Sequence, residues 1–201
     1  GIEVPNAVRS TVGLASILKH PEYMDSPRPL LVALGKDVAG GVHFANIARM
    51  PHVLIAGTTG SGKSVTIHNI IVSLLFRNSP EQLRFILVDP KRVELTLYNG
   101  IPHLLSPVIT EPKKALKSLA WAVKEMGRRY DILQTEGVQG LDLYHQNVYQ
   151  PAKKAWEERG SLEEEKEGLP EPLPYIVIIL DELNDLMQAY PRELEALIVR
   201  L

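Results

Sequence analysis

A glycine-rich segment at residues 57–64 restricts the fold of this chain more than any other feature. It has the sequence Gly-Thr-Thr-Gly-Ser-Gly-Lys-Ser, and it follows a short apolar run at residues 52–56. Its three glycines can adopt positive φ, which lets the backbone turn sharply. An apolar run of this length before a turn is typical of a buried strand. The pattern therefore predicts a strand at 52–56, a tight loop, and a helix from Lys63 to Arg77.

The spacing of this segment, G-x-x-x-x-G-K-[ST], suits the binding of phosphate groups. Successive backbone N–H groups at the start of a helix favour an anion. Lys63 would place a positive charge on the β and γ phosphates of a nucleotide, and the Ser64 hydroxyl is a hard oxygen ligand for Mg²⁺. The alternative is a glycine-rich turn that matches by chance, and the flanking strand and helix patterns disfavour it. The candidate nucleotide-binding residues are Gly57, Thr58, Thr59, Gly60, Ser61, Gly62, Lys63, Ser64 and Val65.

Two adjacent carboxylates follow the most apolar run of the chain, Tyr175 to Leu180. Asp181 can hold the Mg²⁺ shell, usually through water, and Glu182 can take the proton of an attacking water. The predicted catalytic residues are thus Glu182 and Lys63, the metal ligands are Ser64 and Asp181, and the expected ligands are a nucleoside triphosphate and Mg²⁺. The alternative is an acidic pair that opens the next helix, where the helix dipole favours negative charge. A glutamate directly after the aspartate favours a hydrolase over a small-molecule kinase.

The remaining patterns predict an α/β fold, with a mostly parallel sheet and helices on both of its faces. Two further strands are expected at residues 30–35 and 85–88, and a turn-rich hairpin at 35–41. Apolar residues at alternating spacings of three and four predict a core-facing stripe on a helix from Thr110 to Thr135. We divide the chain into a lead-in with N-terminal strands at 1–50 and an ATPase core at 51–201. A charged, proline-flanked stretch at about 151–174 is expected to be a solvated insert. Shorter helices are predicted at residues 12–18 and at 183–201, the latter interrupted near Pro191.

Composition excludes several classes of protein. The 201 residues favour one domain, and a net charge of −2 argues against a protein that binds nucleic acid by bulk charge. The absence of cysteine excludes disulfides, thiolate zinc sites and cysteine nucleophiles, and the six histidines have no metal-ligand spacing. No apolar run reaches the roughly 18 residues of a membrane helix. We therefore expect a cytoplasmic, soluble segment without membrane contact.

Two further features each have two interpretations. The turn Asp89-Pro90-Lys91 ends a predicted strand at the sheet edge where ligands bind in open α/β folds, and it is either a simple turn or part of the site. A basic face on the helix at 110–135 could bind a polyanion, although a solvated helix face is the favoured interpretation. That face consists of Lys113, Lys114, Lys117, Lys124, Arg128 and Arg129.

Seven segments together resemble the motor domain of the FtsK/SpoIIIE family of double-stranded DNA translocases. The resemblance runs from Gly1 to Leu201 and is thin only at about 137–174. The segments are GIEVPN at 1–6, LGKD at 34–37, PHVLIAGTTGSGKS at 51–64, RFILVDPK at 84–91, NGIPHLL at 99–105, MGRRY at 126–130 and YIVIILDELNDLM at 175–187.

The resemblance implies an ATP-driven pump with a RecA-like core, in which six subunits form a ring around double-stranded DNA. It implies a role in chromosome segregation and cell division, with an inner-membrane anchor before the motor and a winged-helix DNA reader after it. It also places the next strand, which senses the γ-phosphate, and an arginine that reaches the neighbouring site beyond Leu201. The chain therefore looks like the first part of a motor core. A related protein-secretion motor and a nucleotide-binding module without hydrolysis remain as alternatives.

Overall fold

The computed structural model of the chain describes residues 4, 8, 10–161 and 168–201. Its backbone forms two compact units, one up to Asn78 and the other from Ser79 onwards. The phosphate-binding motif lies in the first unit and the two candidate carboxylates lie in the second.

The first unit contains an antiparallel hairpin and three helices. Strands β1 and β2 pair from Leu31–Asn46 to Lys36–Val42, with a shift of register between Ala33 and Gly35, and form the predicted hairpin. Asp37 closes the turn, because its Oδ1 accepts hydrogen bonds from the N–H groups of Ala39 and Gly41. The elements are α1 (Leu14–Leu18), α2 (Pro21–Met24), β1 (Leu31–Lys36), β2 (Val42–Asn46), a 3-10 turn (Ile47–Arg49) and α3 (Lys63–Arg77).

Hydrogen bonds through Ser73 and Arg77 tie helix α3 to the rest of its unit. The buried Ser73 hydroxyl accepts from the N–H of Ala33 in β1, and the Ser73 carbonyl accepts from the hydroxyl of Tyr23. Arg77 donates to the carbonyls of Tyr23 and Ser26. Burial makes such contacts strong, because an unpaired polar group there would lose its hydration without compensation. These bonds fix the axis of α3, and hence the direction in which its first turn faces.

The strand predicted at residues 52–56 does not form, which corrects the sequence analysis. These residues follow Met50 without regular structure, and Val53 and Leu54 are exposed. A strand needs backbone hydrogen bonds to a neighbour, and no strand in the described part of the chain pairs with this segment. An apolar run shows that a segment suits a sheet, but its strand state depends on that partner.

The second unit is built on a parallel pair of strands, as predicted. Strands β3 and β4 run in register from Leu83–Tyr175 to Val88–Leu180. Leu104 and Ile109 extend the pairing on the other side of β3 through isolated parallel bridges. The elements are β3 (Leu83–Val88), a 3-10 turn (Thr96–Tyr98), α4 (Pro112–Thr135), α5 (Leu141–Tyr144), a π-helical turn (His145–Tyr149), α6 (Gln150–Glu158), β4 (Tyr175–Leu180), α7 (Leu183–Ala189) and α8 (Pro191–Arg200).

One face of this strand pair packs against helices α4, α7 and α8. The buried cluster includes Ile86 and Val88 from β3, and the helices contribute Leu119, Leu186 and Leu194. The predicted stripe on α4 is therefore a core stripe in its first half. It does not continue to the end of the helix, because Tyr130 is largely exposed.

The stretch expected to be a solvated insert is in part helical, and none of its residues 150–158 is buried. Residues 150–158 form helix α6, which continues α5 through the π-helical turn. Pro151 explains that turn, because proline has no N–H and disturbs the regular helix preceding it. The charged residues 162–167 lie outside the described residues.

Candidate functional site

The phosphate-binding loop has the left-handed glycines that its motif requires. Gly60 and Gly62 have φ of 81° and 96°, values that residues with a side chain rarely adopt. The N–H of Ser61 donates to the Thr58 carbonyl at 3.0 Å, so residues 58–61 form a closed turn. Helix α3 begins directly after Gly62. The loop and helix junction predicted from the sequence is thus present.

Gly57 is required for a different reason. A Cβ built at Gly57 would overlap the Ser61 Oγ, so the side chain of Ser61 occupies the space that any other residue would need. The loop is therefore folded tightly on itself at its first position. Such a compact turn keeps the intervening backbone exposed for a ligand.

The first turn of α3 carries the predicted charged and metal-binding residues. Lys63 and Ser64 are half-buried, and Val65 is exposed. Thr66 ends the loop by donating both its N–H and its hydroxyl to the Gly62 carbonyl. The first turn of this described helix contains no acidic residue, so no carboxylate there opposes an anion at the helix N-terminus.

Asp181 and Glu182 lie at the carboxyl end of β4. Asp181 is 6% exposed, and its N–H donates to the Val88 carbonyl at 2.9 Å, which continues the β3–β4 pairing by one residue. Glu182 has a left-handed backbone with φ 49° and ψ 58°. This conformation is uncommon for a residue with a side chain, and it turns the chain from β4 into α7.

The turn after β3 lies at the same edge of the strand pair. Asp89 is buried, and its Oδ2 accepts from the N–H groups of Glu94 and Leu95, so it closes its own loop as the simple-turn interpretation expected. Lys91 behaves differently. Its ammonium lies 3.1 Å from a Glu182 carboxylate oxygen, and the hydrogen bond that Lys91 donates to Glu182 is the main cause that raises the pKa of Lys91.

The sequence analysis did not identify the pairing of Lys91 with Glu182. The signal was available, because parallel neighbouring strands end at the same edge, so residues that follow β3 and β4 come close together. What could not be predicted was which two strands are neighbours.

The basic face of α4 is partly neutralised by carboxylates. Arg128 forms a bidentate ion pair with Glu171 and also contacts Glu125, which in turn binds Arg129. Lys114 pairs with Glu111. These contacts support the interpretation of a solvated, ion-paired helix face.

The two oxygen donors predicted from the sequence suit Mg²⁺ better than they suit a metal ion that binds only protein ligands. The described residues contain no group of three or more His, Asp or Glu side chains that could hold a metal ion. Mg²⁺ usually retains waters and uses one or two protein oxygens together with substrate phosphates. The Ser64 hydroxyl and the Asp181 carboxylate are hard oxygen donors of this kind. None of the described helices has both the length and the apolar character needed to cross a bilayer.

Three named relatives match the full length of this chain. Proteins named DNA translocase FtsK are 47% identical in Streptomyces avermitilis, 49% in Mycobacterium tuberculosis and 44% in Vibrio parahaemolyticus. The chain covers 21%, 23% and 20% of these proteins, respectively. The chain therefore spans about a fifth of the length of the curated relatives that it matches.

Two solved structures share the fold. The cytoplasmic domain of the Type VII secretion ATPase EccC from Thermomonospora curvata is 28% identical, with a TM-score of 0.64, and covers 95% of this chain and 23% of its own. The pCW3 conjugation coupling protein TcpA, in a monomer form with ATPγS, is 27% identical, with a TM-score of 0.60, and covers 87% and 42%. These similarities confirm the predicted α/β fold of a P-loop ATPase.

The sequence profile of the FtsK/SpoIIIE family matches residues 13–201. This range contains both the phosphate-binding loop and the two carboxylates at the end of β4, and it confirms the resemblance drawn from seven short segments. The chain belongs to the FtsK/SpoIIIE family.

Proposed function

We propose that this chain is the ATP-binding part of a motor that hydrolyses ATP to move double-stranded DNA through a ring. The observation that carries the proposal is the folded phosphate-binding loop at the start of α3, with its two left-handed glycines and the close packing of Gly57 against Ser61. The identity of 47% to 49% with two of the proteins named DNA translocase FtsK supports DNA as the substrate. The roles in chromosome segregation and cell division belong to the same proposal.

In this proposal the backbone of residues 57–65 and the ammonium of Lys63 bind the nucleotide phosphates. The Ser64 hydroxyl and the Asp181 carboxylate hold Mg²⁺, Asp181 through water. When bound, the ion offsets the negative charge that develops on the phosphate oxygens. Neutralisation of this charge is a large part of phosphoryl-transfer catalysis, which relies mainly on positioning and electrostatics.

Glu182 orients the attacking water and accepts its proton. The water oxygen forms a bond to the γ-phosphorus while the bond from that phosphorus to the bridging oxygen of ADP breaks, and the products are ADP and phosphate. The Glu182 carboxylate suits this role, because Glu182 is half-buried next to the buried Asp181 and remains accessible to water.

Ring assembly and DNA binding are proposed for the whole protein, of which this chain is a part. We propose a homo-oligomer, hexameric as the family resemblance implies, with double-stranded DNA in its centre and an arginine from the neighbouring subunit at each site. Location of the motor in the cytoplasm and anchoring to the inner membrane by a separate region are part of the same proposal.

The test is ATP turnover of the whole protein with and without double-stranded DNA. Glu182→Gln should retain ATP binding and reduce turnover by roughly 10² or more, because the amide cannot accept a proton. Lys63→Ala should abolish tight ATP binding measured by calorimetry with Mg²⁺. Glu158→Gln, on the exposed end of α6, is the matched control and should behave as wild type.

Three outcomes separate the candidates. Turnover stimulated by DNA supports the translocase. Turnover that DNA does not change favours a protein substrate, a candidate for which the likeness to the secretion ATPase EccC is the specific observation. Binding of ATP without any turnover would leave a nucleotide-binding module.

A further inference from the structure

The side chain of Glu182 contacts Lys91, which lies in the turn that the sequence left open as either a simple turn or part of the site. Lys91 follows β3 by three residues, and its Nζ lies 3.1 Å from Glu182 Oε2. The two side chains are 54% and 30% exposed, so the pair is accessible to water but not freely solvated. Both residues belong to the second unit.

The charges that surround Lys91 come from one small region. The hydrogen bond that Lys91 donates to Glu182 raises the pKa of Lys91 most, and the nearby charges of Asp185 and, more weakly, Asp181 raise it further. Asp185 lies in the first turn of α7, and its N–H donates to the Glu182 carbonyl. Lys91 therefore offsets a concentration of negative charge at the end of β4.

The contact between Lys91 and Glu182 occurs at a residue with an uncommon, left-handed backbone conformation. A left-handed φ of 49° at a residue with a side chain costs free energy, and it persists only when the surroundings hold it. The N–H of Asp185 holds the carbonyl side of the turn. Within this unit, the Lys91 ammonium acts on the carboxylate itself, at 3.1 Å from Oε2.

We propose that Lys91 is a positioning residue, which holds the Glu182 carboxylate at the edge of the β3–β4 pair in the orientation used for water activation. This proposal rests on the proposed role of Glu182. Because a partly exposed ion pair changes a side-chain equilibrium only modestly, we expect an effect of about threefold to fivefold on turnover, far below that of losing Glu182.

The experiment compares Lys91→Met with Lys91→Arg in the whole protein. Lys91→Met should lower kcat threefold to fivefold and leave KM for ATP within about twofold, because the contact acts on the water-activating group and not on nucleotide binding. Lys91→Arg should restore most of kcat, since it retains the charge and the reach. Lys154→Met is the matched control, because it removes a lysine from an exposed ion pair with Glu158 and should change neither constant.

A structural measurement keeps the proposal separate from activity. In crystal structures without nucleotide, Lys91→Met should show the Glu182 carboxylate displaced or in several rotamers, and Lys91→Arg should show it held as here. A kcat for Lys91→Met that is unchanged or higher, or a Glu182 side chain that does not move, overturns the proposal. Glu182→Gln separates the failure of the two proposals. If this variant retains full turnover, the proposed role of Glu182 is wrong. If it loses turnover while Lys91→Met turns over ATP as wild type does, only the proposed role of Lys91 is wrong.

Discussion

At the scale of single residues, the phosphate-binding loop depends on atoms that glycine lacks. Gly60 and Gly62 are needed for their backbone angles, whereas Gly57 is needed for the space that Ser61 fills. The two requirements are physically distinct, but the sequence motif shows only that glycine occurs at each position and not which requirement it meets. They can be tested separately, because a clash can be relieved by a second substitution and a left-handed φ cannot.

We expect Gly57→Ala to weaken ATP binding by at least tenfold, because the added methyl group forces Ser61 or the loop backbone to move. The second substitution Ser61→Gly removes the atoms that clash and should restore much of the affinity. Titration with a fluorescent ATP analogue measures both. Gly13→Ala, where a Cβ meets nothing within 4 Å, is the control. Affinity equal to wild type in Gly57→Ala would show that the loop adjusts freely.

At the scale of elements, one helix and one strand have the bounds that their local patterns predicted. Helix α3 has the predicted bounds, Lys63 to Arg77, and β4 has the predicted bounds, Tyr175 to Leu180. Residues 52–56 do not form the predicted strand, because a strand requires a partner that the sequence does not identify. Within the expected solvated insert, residues 150–158 form helix α6, which buries none of its residues.

In the candidate site, too, some residues could be predicted from the local sequence and one could not. The motif residues of the loop and the carboxylates after β4 were identifiable from spacing and from the flanking apolar runs. Lys91 was not, because its contact with Glu182 depends on β3 and β4 being neighbours.

Glu125 on α4 provides a prediction about pH. Hydrogen bonds from Arg128, and further contacts with Arg129, lower the pKa of Glu125 from its ordinary value near 4.5 to about 2. A lowered folded-state pKa means that the carboxylate stabilises the fold above pH 4.5 and loses this effect as the pH falls towards 2. With a side chain only 12% exposed, the contribution is at most roughly 3 kcal/mol.

Glu125→Gln should therefore lower Tm at pH 7, and the difference from wild type should shrink as the pH falls from about 4.5 to 2. Thermal unfolding followed by circular dichroism across this range is the measurement. Glu111→Gln, which removes a fully exposed pair with Lys114, should change Tm little at any pH. A difference that is constant with pH would contradict the assignment to Glu125 ionisation.

At the scale of the whole molecule, the chain is nearly neutral, and half of the basic face of α4 is paired with carboxylates, through Lys114, Arg128 and Arg129. A motor that moves along DNA must hold it through the phosphate backbone, because contacts to bases would stop it at one sequence. DNA binding by the whole protein is therefore expected to come from local basic surfaces and not from overall charge.

We expect the whole protein to bind duplexes of unrelated sequence with equal affinity, and to bind each one much more weakly as salt rises from about 50 to 200 mM. Fluorescence anisotropy with two labelled duplexes measures both properties. Lys154→Met, which removes a lysine already paired with Glu158, should reproduce the wild-type salt slope. Affinity that does not change with salt would contradict DNA translocation and favour a protein substrate.

The segment that leads into β4 is held at several points. The Tyr144 hydroxyl donates to the Glu171 carbonyl, His145 Nε2 donates to the carbonyls of Pro172 and Leu173, and Arg129 donates to that of Pro174. Because carbonyls only accept, this histidine nitrogen must carry its proton. The start of β4, and with it the position of the carboxylates at its end, is thus set by residues 171–174 and their partners.

Evolution can therefore change the length of the chain just before this anchored segment without disturbing the chemistry that follows it. Additions or deletions at Gly160 or Gly168, which are both exposed, would be absorbed before they reach the strand. The same position is suited to the insertion of a fluorescent label or an epitope, so that assembly and movement could be followed in cells without altering the register of the site.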